Sequence, residues 1–168
     1  MAKMTRKARS INKFLSLISA VLAIVAVVMI FLPQITDGNT TYNGLVIAFG
    51  KEEGDVFKYK VNFSFLNLLT YLLVVIGLAI IVLKFLGITK GKLPLLVAAL
   101  ALIAGGVLFF FAPQFSTMTL SAGGGQLGIS STSTFADLGY ELAYGAITGG
   151  VTAIVAGLAA LGNVAMSK

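Results

Sequence analysis

The sequence predicts a membrane all-α four-helix bundle with a small extracytoplasmic antiparallel β-sheet from two exported loops. Three observations predict it. The 168 residues are 58% hydrophobic and only 11% charged, with a mean hydropathy of +0.99. Soluble domains carry about 25% charged residues, and lipid accepts apolar surface that a soluble fold cannot bury. Four stretches, about 14–32, 65–85, 95–111 and 138–160, come close to the roughly 20 apolar residues that a crossing helix needs. The loops between them, about 35–63 and 115–134, alternate in hydrophobicity as half-buried strands do.

The first span follows Lys3, Arg6, Lys7, Arg9 and Lys13, which resemble the head of a signal peptide. Its apolar run of about 19 residues exceeds the roughly 7–15 of a cleaved signal. It ends in Phe31-Leu32-Pro33-Gln34 with no small-x-small cleavage pattern, so it reads as a retained anchor. The first loop reads as a hairpin. Residues 41–49 are rich in β-favouring Tyr, Val, Ile and Phe, and 50–55 form a turn cluster. Residues 56–63 then alternate, with Phe57, Tyr59, Val61 and Phe63 on one face and Lys58, Lys60 and Asn62 on the other.

The second span, 65–85, is rich in Leu, Ile and Val and has few small residues, so it is expected to face lipid or to pack loosely. The third carries Ala98, Ala101 and Gly105. The second loop reads as a shorter hairpin, with Met118 and Leu120 alternating before a turn at 121–125 and Leu127 and Ile129 after it. An isolated hairpin is marginal in water, so the two hairpins are expected to join into one four-stranded sheet. Thr134 and Asp137 have the spacing of a capping box and mark the start of the fourth helix. That helix carries Gly145, Gly149, Ala153 and Gly157 at four-residue spacing, a strip that lets backbones approach closely. Together with Gly105 these are the candidate packing residues, for the bundle itself or for a homo-oligomer.

Two halves look alike. Phe31-Leu32-Pro33-Gln34-Ile35-Thr36 resembles Phe111-Ala112-Pro113-Gln114-Phe115-Ser116 at a shift of 80. Phe65-Leu66-Asn67-Leu68 resembles Phe135-Ala136-Asp137-Leu138 at a shift of 70. This predicts a parallel internal repeat whose second loop is about ten residues shorter.

Charge predicts the orientation. Nine of the twelve basic residues lie in the N-terminal tail, the second–third connection and the C-terminus. The exported side holds Lys51, Lys58 and Lys60 and all six acids, for a balance of −3 against +9. Basic residues accumulate on cytoplasmic flanks, so both ends are expected inside a multi-pass protein of the cell membrane. The net charge of +6 is thus a topology signal and not a nucleic-acid footprint. The expected partners are anionic lipid headgroups at the cytoplasmic face, together with a membrane-protein partner or a second copy.

With no Cys and no His, the chain lacks thiol nucleophiles, zinc-thiolate sites and the usual general base. No nucleotide, hydrolase or metalloprotease motif is present. Gly123-Gly124-Gly125 is followed by no Lys-Ser/Thr pair. No catalytic residue, cofactor or metal is expected. An intramembrane acid is a functional candidate by default, and Glu141, in the first turns of the expected fourth span, is the one available. Asn67, Tyr71 and Tyr144 complete a candidate intramembrane polar cluster with it.

The layout of four spans with a longer β-rich first loop resembles the claudin-like tetraspan architecture. Asn43-Gly44-Leu45 stands where that family has Gly-Leu-Trp, with Val46 in place of the Trp, and the paired Cys are absent. No residue role carries over. The resemblance implies an adhesion, scaffold or accessory-subunit role. The chain is also similar in style to small four-helix membrane proteins of Cys-poor bacteria. The expected function is a non-enzymatic membrane scaffold, adhesion or accessory-subunit protein acting through the exported face. The alternative is a small channel or transporter, formed by the repeat or a homo-oligomer, with Glu141 as its key residue.

Overall fold

A computed structural model describes residues 6–54, 57–89, 91–122 and 129–166. Of the turn expected at 121–125, Ser121 and Ala122 lie in a strand, and residues 123–125 lie outside the described residues, as do Leu127, Lys3, Asp55, Val56, Lys90 and Lys168.

Four long helices dominate: α1 (Arg6–Met29), α3 (Phe65–Phe85), α4 (Leu93–Phe109) and α6 (Tyr144–Met166). Three of them, over Ile11–Met29, Phe65–Phe85 and Tyr144–Met166, are long and apolar enough to cross a membrane, and α4 is a shorter apolar helix of 17 residues. α6 packs on both α1 and α4, α4 packs on α3, and α3 closes back on α1.

Their packing places small residues inside and large aliphatic residues outside. Buried positions include Ala23 and Ala26 on α1, Ala98 and Ala99 on α4, and Ala153, Ala156 and Ala160 on α6. Phe14, Leu17, Val21, Ile24 and Val28 form an exposed stripe on α1, and Ile147, Val151, Val155 and Leu158 form one on α6. Both stripes repeat at three- and four-residue intervals, which keeps them on one helical face. A helix of a water-soluble domain has the reverse arrangement.

Glycine sets how near the helices come. A Cβ on Gly106 would sit 2.8 Å from the carbonyl oxygen of Gly150, and a Cβ on Gly150 would sit 2.9 Å from that of Gly106. Two turns further along, a Cβ on Gly157 would meet the Ala99 oxygen at 2.8 Å. Of the two expectations for α3, that it faces lipid or packs loosely, the loose packing is absent, while Leu72, Val75, Ile76 and Leu83 are exposed. Gly77 admits Leu102 of α4, Gly105 admits Val74 of α3, and Val74 and Ile81 are buried between the two helices.

The connections between helices hold two antiparallel sheets. In the first, β1 (Pro33–Thr36) lies between β2 (Thr41–Asn43) and β7 (Glu141–Leu142). In the second, β3 (Lys51–Glu53), β4 (Phe57–Val61), β5 (Thr117–Ala122) and β6 (Ile129–Thr134) run in that order. One strand from each connection does pair across, with Lys60 opposite Thr119 and Val61 opposite Met118, but the sheet is not the one expected: Lys51–Glu53, expected within the turn cluster at 50–55, form its edge strand β3, and Thr41–Asn43 belong to the other sheet.

The structure corrects several expectations. Residues 41–49 are not one strand. The strand stops at Asn43, and α2 (Gly44–Phe49) is a short helix. The Asn43 side chain accepts from the Val46 amide at 3.0 Å, and Gly50, at φ +86°, ends the helix with its N–H on the Val46 oxygen. Buried Gly44, Ile47 and Ala48 follow a helical spacing, which overrides the β-favouring composition. β4 ends at Val61, and Phe63, expected on its apolar face, is exposed.

The first span ends at Met29, and Pro33 to Thr36 turns away as the central strand of the first sheet. The fourth helix starts at Tyr144 rather than near 138. Thr134 and Asp137 do form the reciprocal cap, the Asp137 amide donating to the Thr134 hydroxyl at 3.1 Å and that hydroxyl to the carboxylate at 2.6 Å. It closes a single turn that Gly139 ends at φ +81°, after which the chain enters β7.

The second connection is also not ten residues shorter than the first. α1 and α4 end 80 positions apart, at Met29 and Phe109, and α3 and α6 start 79 apart, at Phe65 and Tyr144. The look-alike Pro-Gln pairs differ in conformation, since Pro33-Gln34 lies in β1 and Pro113-Gln114 in α5 (Ala112–Phe115).

Candidate functional site

The four-stranded sheet has two unlike faces. Register places Lys58, Lys60 and Asn62 beside Thr117, Thr119 and Ser121, and these beside Ser130, Thr132 and Thr134. Alternation along each strand puts all nine side chains on one face. Asn62 donates to the hydroxyls of Thr117 at 3.1 Å and Thr119 at 2.9 Å, and Thr119 and Thr132 share a hydrogen bond at 2.8 Å. Lys58, Lys60, Ser130 and Thr132 are exposed, while Val61 and Met118 are buried beneath. The result is an array of donors and acceptors with two ammonium groups at one side, of which that of Lys60 faces the Glu52 carboxylate at 4.0 Å.

The sheet's two edges also differ. β3 is three residues long and carries Lys51, Glu52 and Glu53. Glu53 pairs with Lys51 and accepts from the Tyr59 hydroxyl, and together these hold its carboxyl below the usual range. Charge and shortness both discourage further pairing at an edge. β6 has six residues, ISSTST, with no charge and no proline, and among the described residues it pairs only with β5. Phe135 N–H reaches the Ser116 oxygen at 3.0 Å. Antiparallel alternation from that bond directs the backbone N–H and C=O of Ser130 and Thr132 off the open edge.

The two sheets meet through an aromatic cluster. Buried Phe135 stands edge-on to Tyr42 of β2 at 5.3 Å and to Tyr140 at 4.9 Å. Below it, Asp37 caps the turn between β1 and β2 by accepting from the amides of Asn39 and Thr40, and these bonds, that of Thr40 first, hold its carboxyl below the usual range.

The predicted polar cluster comes apart. Glu141 is not in a helix. It lies in β7 opposite Thr36 and is exposed. Tyr144 begins α6 and is exposed as well. Asn67 and Tyr71 are both buried on α3, with different neighbours. Asn67 donates to the Ser116 hydroxyl at 2.7 Å, Ser116 donates to the Ala112 oxygen, and Ser64 donates to the Phe115 oxygen. This chain of bonds ties the start of α3 to α5. The Tyr71 ring packs on Phe109 at 5.5 Å, and its hydroxyl, next to Gly44, is buried with no partner among the described residues.

The small-residue strip on α6 faces other segments of the same chain. Gly145 lies against Pro33, Gly149 against Met29 and Phe109, and Gly157 against Ile103, while Ala153 is fully buried. Gly105 lies against the Thr70 backbone of α3.

Sequence reasoning missed the hydroxyl face. Its signal was the alternation of Thr117, Thr119 and Ser121 with Met118 and Leu120, which was followed only along the apolar residues. No protein family, curated protein or solved structure matches the chain.

Proposed function

We propose that the chain is an integral protein of the cell membrane that crosses it four times, with its N- and C-terminal ends on the cytoplasmic side. It acts without catalysis, as a scaffold, adhesion or accessory-subunit protein, through the exported β-rich face. The exposed aliphatic stripes on the helices support the membrane setting. So does the separation of charge: among the described residues, Lys13, Lys84 and Lys92 lie at the end away from the sheets and every acid lies at the sheet end. α4, at 17 residues and about 1.5 Å per residue, sits at the short end of spanning lengths.

The observation that carries the interaction role is the open β6 edge beside the hydroxyl and lysine face. An extended segment of a partner adds there by main-chain hydrogen bonding, and the side-chain array supplies selectivity. The transport alternative rested on Glu141 within a helix, and that residue lies in β7.

Photo-crosslinking from position 131 in intact cells tests the role. A discrete partner is expected, and Ser130→Lys, which places a charge on the open edge, is expected to lower its capture about tenfold, the equivalent of roughly 1.4 kcal/mol. Crosslinking to nothing, or capture indifferent to Ser130→Lys, rejects the interaction role.

A further inference from the structure

At the end away from the sheets, a cavity of about 650 Å³ opens between α1, the end of α3 and the end of α6. Its polar lining is Asn12, Lys13, Ser16, Lys84 and Asn163. No acid lines it. Asn163 donates to the Asn12 backbone oxygen at 3.1 Å and to the Ser16 hydroxyl, which fixes the wall on the α1–α6 side. Lys84 gives one of its protons to the Gly91 oxygen and keeps two. The side-chain oxygen of Asn12 is buried with no donor among the described residues. The rest of the lining is Phe14, Leu17 and Phe85, all more than half exposed. Phe14 and Leu17 also begin the apolar stripe that continues along α1 through Val21 and Ile24.

The cavity thus joins a doubly cationic polar end to an apolar lip and track. A free anion uses only the first. A membrane lipid uses both, its phosphate between the two ammonium groups and an acyl chain along the α1 stripe. A choline headgroup carries a fixed cation that opposes the lysines.

We propose that this cavity is a binding site for an anionic phospholipid. The site rests on the membrane reading above and adds a defined position and headgroup charge to it.

The test uses the full chain in neutral detergent, read by native mass spectrometry and by thermal unfolding. Phosphatidylglycerol, phosphatidylcholine and inorganic phosphate are compared. Phosphatidylglycerol is expected to stay bound and to raise the melting temperature, while phosphatidylcholine and inorganic phosphate do not. Near-surface lysines contribute about 1 kcal/mol each to anionic lipid binding, so Lys13→Gln with Lys84→Gln is expected to weaken phosphatidylglycerol binding on the order of tenfold or more. Lys13→Gln alone, at an exposed position, gives a smaller loss with unchanged helical content. Equal retention of phosphatidylglycerol and phosphatidylcholine, or undiminished binding by the double variant, overturns the site. An equal response to inorganic phosphate overturns its assignment to lipid. A chain recovered from cells in the soluble fraction without detergent overturns the membrane reading itself, a result distinct from a detergent-dependent chain without lipid preference.

Discussion

Buried polar side chains at the sheet end of the helices fall into two kinds. Asn67, Ser116 and Ser64 are satisfied by one another and by backbone oxygens. Tyr71 is not, because its hydroxyl fills space that the missing side chain of Gly44 leaves open. Removing a satisfied partner strands the other, at a cost of about 1–3 kcal/mol, whereas removing an unpaired hydroxyl relieves a penalty. Asn67→Ala is therefore expected to destabilise by about 1–3 kcal/mol, and Tyr71→Phe to change stability by less than about 0.5 kcal/mol or to raise it. Thermal unfolding of the detergent-solubilised variants reads both, and a Tyr71→Phe variant weaker than Asn67→Ala would show that the hydroxyl has a partner. That Asn67 and Tyr71 were polar groups near the sheet end of the helices was legible in the chain. Their separation from Glu141 was not, because it depends on where α6 begins.

Between helices, the small-residue positions differ in what surrounds them. At Gly106 an added Cβ meets Ile154 at 2.7 Å and the Gly150 backbone at 2.8 Å, so α4 and α6 must part to admit it. At Gly162 the nearest atom is a Leu15 methyl at 3.6 Å, an ordinary contact. Gly106→Val is expected to cost about 1–3 kcal/mol or more by overpacking, and Gly162→Ala to be tolerated. Melting temperatures in one detergent compare the two, and equal tolerance at both sites would mean that the α4–α6 approach is not set by glycine. The four-residue spacing of Gly145, Gly149, Ala153 and Gly157 was plain in the sequence. Gly106 and Gly150, which form the reciprocal contact, belong to a neighbouring strip, and only the crossing of two helices selects between strips. α2 shows the same limit in a shorter element. Its capping residues, Asn43 and Gly50, stood in view, but β-favouring Val46, Ile47 and Phe49 between them outweighed two end signals until the burial of Ile47 and Ala48 settled the period.

All four long helices carry their sheets at one end and their unopposed lysines at the other, so orientation is a property of the entire fold. A single Cys replacing Glu53 is expected to react with an impermeant thiol reagent in intact cells, and one replacing Gly91 only after permeabilisation. The reverse pattern would invert the topology and move the β6 edge and the lipid cavity to opposite sides. By itself the sequence determined that the chain carries long apolar helices, since hydrophobic length needs no partner to be read. It determined the segregation of charge and the faces of β4 for the same reason: each is a local pattern. Only tertiary structure decided that Pro33–Thr36 leaves the first helix to become a central strand, that Glu141 joins β7 and that β5 lies beside β4. Those outcomes rest on hydrogen-bond partners 55 to 107 residues away, as between Asn62 and Thr117 or Ile35 and Leu142, which no local window contains.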